Sequence, residues 1–150
     1  MKLSTRSRYG LKAVIDLAVR YGTGPVSLPT LAGEQGVSEG YLEQLLRELK
    51  KGGVVDTVRG AQGGYELTCD PGDLSVQRVL TLLEGSTAVV DCVGSEEQGC
   101  NNACTCSARP LFLKLQNRIN EVLEKTTIQE LADDYISQIK QGCCVKNVCK

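Results

Sequence analysis

The chain has 150 residues, 41% of them apolar and 23% charged, which excludes bulk disorder and suffices for one self-sufficient core. No stretch approaches about 18 consecutive apolar residues, so a membrane-spanning helix is excluded, and the N-terminus lacks the apolar run of a signal peptide. A cytoplasmic protein without a membrane partner is therefore expected. Net charge is −1, and eight cysteines with no histidine exclude every Cys/His zinc site and any cluster with histidine ligands.

The small net charge hides an asymmetry. Residues 1–65 hold nine Lys/Arg against six Asp/Glu, whereas residues 66–150 hold eight against twelve. Lys2, Arg6, Arg8 and Lys12 open the chain with no acid among them. Such a patch suits phosphate contact and equally an ordinary solvated face. Val14, Leu17, Ala18 and Tyr21, widened by Leu11 and Ile15, recur at helical spacing and predict a first helix over about Thr5–Tyr21. Gly22-Thr23-Gly24-Pro25 breaks it. A short second helix is expected from near Pro29 to Gly36, with Leu31 and Ala32 on its buried side.

Gly36-Val37-Ser38 reads as a tight turn, and the Ser38 hydroxyl suits the N-cap of a third helix. Leu42, Leu45, Leu46 and Leu49 form its apolar stripe, and Gly52-Gly53 ends it. The opposite face carries Glu39, Tyr41, Glu43, Gln44, Arg47 and Lys51, long side chains able to reach base edges and phosphates. Two helices joined by a short glycine-containing turn match a helix-turn-helix. Val54–Arg59 and Tyr65–Thr68 then read as two strands joined by Gly60-Ala61-Gln62-Gly63-Gly64. A glycine-rich tip starting at Gly60 lets backbone approach DNA, and Arg59 beside it suits a narrow minor groove. The order of these elements, rather than any one of them, points to a winged helix-turn-helix that binds double-stranded DNA.

Ser75 caps an expected fourth helix through Val76, Val79, Leu80 and Leu83. The following loop, Val89–Ser107, contains Cys92, Cys100, Cys104 and Cys106 among Gly, Asn and acidic residues. Four thiols within fifteen residues, in a segment with few core-forming side chains, imply something that binds them. Spacing alone leaves open an iron–sulfur cluster, zinc, a redox disulfide or incidental thiols. Leu111, Leu115, Ile119, Val122 and Leu123 stripe a fifth helix over about Pro110–Lys125. Thr127 and Glu130 suggest a capping box for a last helix ending near Lys140. Cys143, Cys144 and Cys149 lie in a tail to which no role is assigned.

Lys2-Leu3-Ser4, Arg8-Tyr9-Gly10-Leu11, Tyr41-Leu42-Glu43-Gln44-Leu45 and the Val58–Tyr65 segment, with its Arg-Gly-x-x-Gly-Gly-Tyr pattern, resemble the IscR-like iron–sulfur cluster regulator family over about residues 1–140. The resemblance implies that Ser38, Tyr41, Glu43 and Gln44 enter the major groove and Arg59 the minor groove. It further implies that Glu43 discriminates between two operator classes. Cys92, Cys100 and Cys106 match the three cysteine ligands of the family, and Phe112 aligns with an aromatic residue that opens the next helix. The family's histidine ligand, three residues after the third cysteine, is replaced by Arg109, which cannot ligate. The fourth ligand is thus open among Cys104, a carboxylate and a residue of a partner chain. Arg8 occupies the place of an aspartate ligand in nitric-oxide-sensing relatives, which argues against their [4Fe–4S] arrangement and leaves [2Fe–2S] as the expected cofactor. The family also implies a homodimer through the fifth helix, reading two half-sites about 34 Å apart.

The expected fold is mainly α with a small β-hairpin, a winged helix-turn-helix plus a long dimerisation helix. Residues 1–84 form the DNA-binding domain, 85–108 the cysteine-rich cluster-binding loop, 109–141 the dimerisation and C-terminal helices, and 142–150 the tail. The expected function is cluster-sensing transcription regulation of iron–sulfur biogenesis genes, including the chain's own operon, with clusters supplied by assembly machinery. Two rivals are a thiol-redox or cysteine-metabolism repressor without a cluster, and a small iron–sulfur or zinc redox protein. An enzyme is not expected: there is no histidine for acid–base work, no nucleophile–base pair and no nucleotide-binding glycine fingerprint.

Overall fold

A computed structural model describes residues 3–93 and 103–141. Six helices and one hairpin follow in order: α1 (Thr5–Val19), α2 (Leu28–Gln35), α3 (Glu39–Lys51), β1 (Val55–Val58), β2 (Gly64–Leu67), α4 (Val76–Glu84), α5 (Arg109–Lys125) and α6 (Ile128–Lys140). Short 3₁₀ turns occupy Pro71–Asp73 and Asp91–Val93. Five of the helices begin the same way. The hydroxyls of Ser4, Ser27, Ser38, Ser75 and Thr127 each accept a hydrogen bond from the amide three residues on, at 3.2–3.3 Å. Each such cap contributes about 1 kcal/mol and sets where the helix starts. The exception is α5, which has no side-chain cap and starts instead with a proline in its first turn.

Leu42, Leu45, Leu46 and Leu49 of α3 are fully buried, as the spacing predicts. They meet Ala13, Val14 and Leu17 of α1, Leu31 of α2, and Val79, Leu80 and Leu83 of α4 in one core. Burying each leucine contributes roughly 1.5–3 kcal/mol. After α5 the chain returns to its N-terminal half: α6 lies against α1, with Ile128 and Ala132 completely buried. That return is tied by a short antiparallel bridge, in which Val76 N donates to Thr126 O and Ile128 N donates to Leu74 O.

The hairpin pairs Val55 with Leu67 and Val58 with Gly64, two residues shorter in β1 than the apolar run suggests. The segment before α2 adds a third edge. Val26 and Tyr65 exchange backbone hydrogen bonds of 2.9 and 2.8 Å, so the hairpin is anchored to the entry of α2. Helix α1 also stops earlier than expected, at Val19. Arg20 caps it, Thr23 Oγ1 donates back to Arg20 O at 2.7 Å, and Tyr21 is left 47% exposed rather than in the apolar stripe. No helix among the described residues is long and apolar enough to cross a membrane.

Candidate nucleic-acid interface and cysteine loop

The buried leucines turn the opposite face of α3 outward. Ser38, Glu43, Gln44 and Arg47 are exposed there, and Tyr41 is half-buried. Tyr41 is held edge-on by Tyr9 of α1, with ring centroids 6.1 Å apart and planes at 87°; such pairs prefer this geometry. The Lys12 ammonium lies 5.4 Å from the centre of the Tyr9 ring, within cation–π range. Arg6, also from the basic N-terminal patch, joins Tyr41, Gln44, Arg47 and Glu48 around one shallow depression. Arg47 pairs with Glu43 at 3.5 Å across one helical turn, with both side chains largely exposed. An exposed pair of this kind is worth about 0.3–0.5 kcal/mol, so Arg47 is readily released to a phosphate.

The wing is fastened to this face from α3. Lys50 Nζ bonds to Asp56 Oδ1 at 3.0 Å and to the Thr57 hydroxyl. The Lys50 hydrogen bond, followed by that of the Thr57 amide, holds the Asp56 carboxyl below its ordinary pKa. Burial raises the pKa of the Tyr65 phenol above its ordinary value, and the charge of Glu43 adds to the effect. Gly60 has φ of +121° at the tip, a conformation that favours glycine. Arg59, just before it, is exposed and makes no ion pair or hydrogen bond among the described residues. Its guanidinium is free to engage an anion.

Of the four described cysteines, Cys69 follows the hairpin, while Cys92, Cys104 and Cys106 lie in the segments that precede α5. Cys92 sits in the Asp91–Val93 turn and is half-buried, Cys106 is half-buried, and Cys104 is exposed. Arg109 joins the first two: Nη1 donates to Cys92 O and its backbone amide donates to Cys106 O, both at 3.3 Å. All three thiols are free. Thiol donors suit an iron–sulfur cluster, whereas the Arg109 guanidinium cannot ligate. Cys100, Cys143, Cys144 and Cys149 lie outside the described residues. Among the described residues no three Cys, Asp or Glu side chains converge as a complete metal site.

One residue of this region escapes sequence reasoning. Gln116 interrupts the apolar run of α5 and is only 7% exposed. Its Oε1 accepts from Val89 N at 2.7 Å, and its Nε2 donates to Thr87 O at 3.4 Å and to Asn120 Oδ1 at 2.8 Å. It thereby pins to α5 the segment that leads into Cys92. Lys50 was likewise not singled out, and Tyr9 and Tyr65 entered only as parts of the family motifs. Their roles depend on contacts between elements.

Residues 3–134 match the family model of Rrf2, described as iron-dependent transcriptional regulators. The chain belongs to the Rrf2 family. It is 38% identical over 132 residues to the HTH-type transcriptional regulator CymR of Bacillus subtilis, covering 88% of this chain and 90% of that one. It is 36% identical over 140 residues to the HTH-type transcriptional regulator IscR of Aliivibrio salmonicida, covering 93% and 82%. Among solved structures, that of CymR, named the global cysteine regulator of B. subtilis, superposes with a TM-score of 0.76 at 36% identity over 89% of this chain and 97% of that one. T. potens IscR superposes with a TM-score of 0.73 at 39% identity, over 92% and 91%. This Rrf2 protein is therefore a winged-helix, DNA-binding transcription regulator, as the order of helices and hairpin leads one to expect. Its relatives are named as transcriptional regulators, not as enzymes.

Proposed function

We propose that this Rrf2 regulator binds operator DNA as a homodimer and reports the state of a [2Fe–2S] cluster in its cysteine loop. Ser38, Tyr41, Glu43 and Gln44 read the major groove, while Arg59 and the Gly60 backbone approach the minor groove. Support for this assignment comes from the exposed polar face of α3, backed by Tyr9, and from an Arg59 that nothing among the described residues neutralises. Replacing Gln44 with Ala weakens binding to a selected operator by about 1–3 kcal/mol and relaxes discrimination at one base position. Replacing Arg59 with Ala lowers the salt dependence by about one unit of log K against log salt. Fluorescence anisotropy on fragments selected from a random library reads both effects. Unchanged affinity and slope would remove that residue from the interface.

The observation that carries the sensing half is the placement of Cys92 and Cys106 on either side of Arg109 at the base of α5. Cys92, Cys100 and Cys106 would hold the cluster, with Cys104 the nearest fourth ligand. When bound, a [2Fe–2S] cluster supplies a one-electron redox couple whose occupancy depends on iron and oxidants. Gln116 would carry the state of the loop to α5, since a ligand shifts an equilibrium only where it contacts the two states differently. Control of cluster-biogenesis genes, with loading by assembly machinery, follows from this reading.

A second reading rests on a specific substitution. Arg109 stands where a histidine ligand is expected, and the chain resembles CymR as closely as it resembles IscR. In that reading the loop thiols respond to cysteine metabolism or oxidation without a cluster. Anaerobic purification with ultraviolet–visible spectroscopy separates the two. Absorption between about 320 and 600 nm, bleached by dithionite, is expected for a thiolate-bound cluster. It should be lost with its iron and sulfide in Cys92→Ala and Cys106→Ala, yet kept in Cys69→Ala. Protein that stays colourless after reconstitution with iron and sulfide would establish the thiol reading instead.

A further inference from the structure

The first turn of α1 carries Arg6 to the edge of the depression that Tyr41, Gln44, Arg47 and Glu48 line. A helix leaves its first amides without intrahelical partners, and a first turn without support frays. Here the support comes from a distant part of the chain. Glu84, the half-buried last residue of α4, accepts a hydrogen bond at Oε1 from Ser4 N at 2.7 Å, across 80 positions of sequence. Ser4 Oγ in turn accepts from Ser7 N at 3.2 Å. In a capping box the same two bonds join the N-cap residue to a Glu or Gln three positions on. In α1 that third position is Ser7, no acid lies in the first turn, and the carboxylate is supplied by another helix. A negative charge there also meets the positive end of the helix dipole. The two helix ends are in close contact: Gly10 is buried, and a methyl group on it would overlap the side chain of Leu83. Arg6 is exposed and joins none of the ion pairs formed among the described residues.

We propose that Glu84 is a positioning residue for operator binding: its carboxylate fixes the start of α1 and so holds Arg6 where it meets a DNA phosphate beside α3. This inference rests on the placement of α3 in the major groove proposed above. A guanidinium donates paired hydrogen bonds to phosphate oxygens, and such contacts set the register of a protein on the duplex. An acid would repel the phosphate backbone, so Glu84 acts through Ser4 and the helix start rather than by contact with DNA. Loss of the Ser4 bond frees the N-cap residue, then the Ser7 amide that it holds, and Arg6 lies between the two. The cysteine loop takes no part in this arrangement, and loss of the cluster reading leaves it standing.

Fluorescence anisotropy of the full-length protein with a selected operator, repeated over a series of salt concentrations, tests it. Arg6→Ala should weaken binding about tenfold and lower the slope of log K against log salt by about one unit. Glu84→Ala should do the same. Glu84→Gln should keep the parent slope, because its amide oxygen still accepts from Ser4 N. The double variant Arg6→Ala, Glu84→Ala should bind as Arg6→Ala does, since both changes remove one contact. A merely structural Glu84 would instead leave the slope unchanged and add its loss to that of Arg6→Ala. In the unmodified protein the Ser4 amide should exchange slowly with solvent deuterium. Unchanged affinity and slope in Arg6→Ala, an unchanged slope in Glu84→Ala, additive losses in the double variant, or open-chain exchange at Ser4 overturns the proposal. Gln44→Ala in the same assay separates this failure from that of the interface itself. Weakened binding there with Glu84→Ala at the parent slope removes only the role of Glu84, whereas parent-like binding in both removes the placement of α3 as well.

Discussion

A Val122→Asp variant should fold as the parent does yet fail to dimerise and fail to hold its operator. Val122 is 62% exposed in the protomer, Leu111 is 57% and Leu115 is 43%, so the described residues leave the stripe of α5 largely uncovered. Leu123 alone among the predicted stripe packs against the protomer core. In the homodimer proposed above, a self-complementary pairing of α5 with a second copy would cover that surface, because isologous contacts match each apolar patch with itself. An aspartate there brings two carboxylates into a desolvated interface without partners. Each costs several kcal/mol, which weakens the dimer at least about a thousandfold. Sedimentation velocity at micromolar concentration should show monomer, with unchanged circular dichroism. An intact dimer would move the interface away from this face of α5.

Replacing Gly64 with Ala should displace the wing. A methyl group on Gly64 would overlap the carbonyl oxygen of Val26 and press on Ser27 N. Both are backbone atoms, so no side chain can turn aside. Moving Val26 breaks its two hydrogen bonds with Tyr65, and moving Ser27 disturbs the cap of α2. Overpacking of this kind costs about 1–3 kcal/mol, and the broken hydrogen bonds add to it. A lower denaturation midpoint and at least about tenfold weaker operator binding are expected. Gly33→Ala in α2 is the control. Nothing lies within 4 Å of a methyl group at that position and its φ is not positive, so neither overlap nor backbone strain applies. If Gly64→Ala melts and binds as the parent does, the Val26 contact does not position the wing.

Much of the outward face of α3 was legible because its signals are short in range. Ser38 three residues before Tyr41 marks the start of α3, and leucines spaced for one helical face mark what it buries. The remaining residues must then face outward, which places Gln44 and Glu43 without any knowledge of the fold. Arg59 before Gly60 works the same way, since a tight tip needs glycine nearby. The cysteine loop was legible only as chemistry. Thiol density pointed to a ligand, but that the Cys92 turn lies against the start of α5 depends on Arg109 reaching back to the Cys92 carbonyl.

The amino-acid sequence by itself determined where helices begin, which leucines are buried and the order of helix, turn, helix and hairpin. Those features depend on residues within about four positions of one another, the reach of a cap or of one helical turn. Only the tertiary structure decided that Tyr9 supports Tyr41, that Arg6 stands beside Gln44, and that Val26 joins the hairpin through Tyr65. It also decided that α6 returns to α1 and that Tyr21 lies outside the core. These contacts join residues tens of positions apart. They are selected by which apolar faces bury together and by which polar groups then need partners, a balance that no local pattern contains.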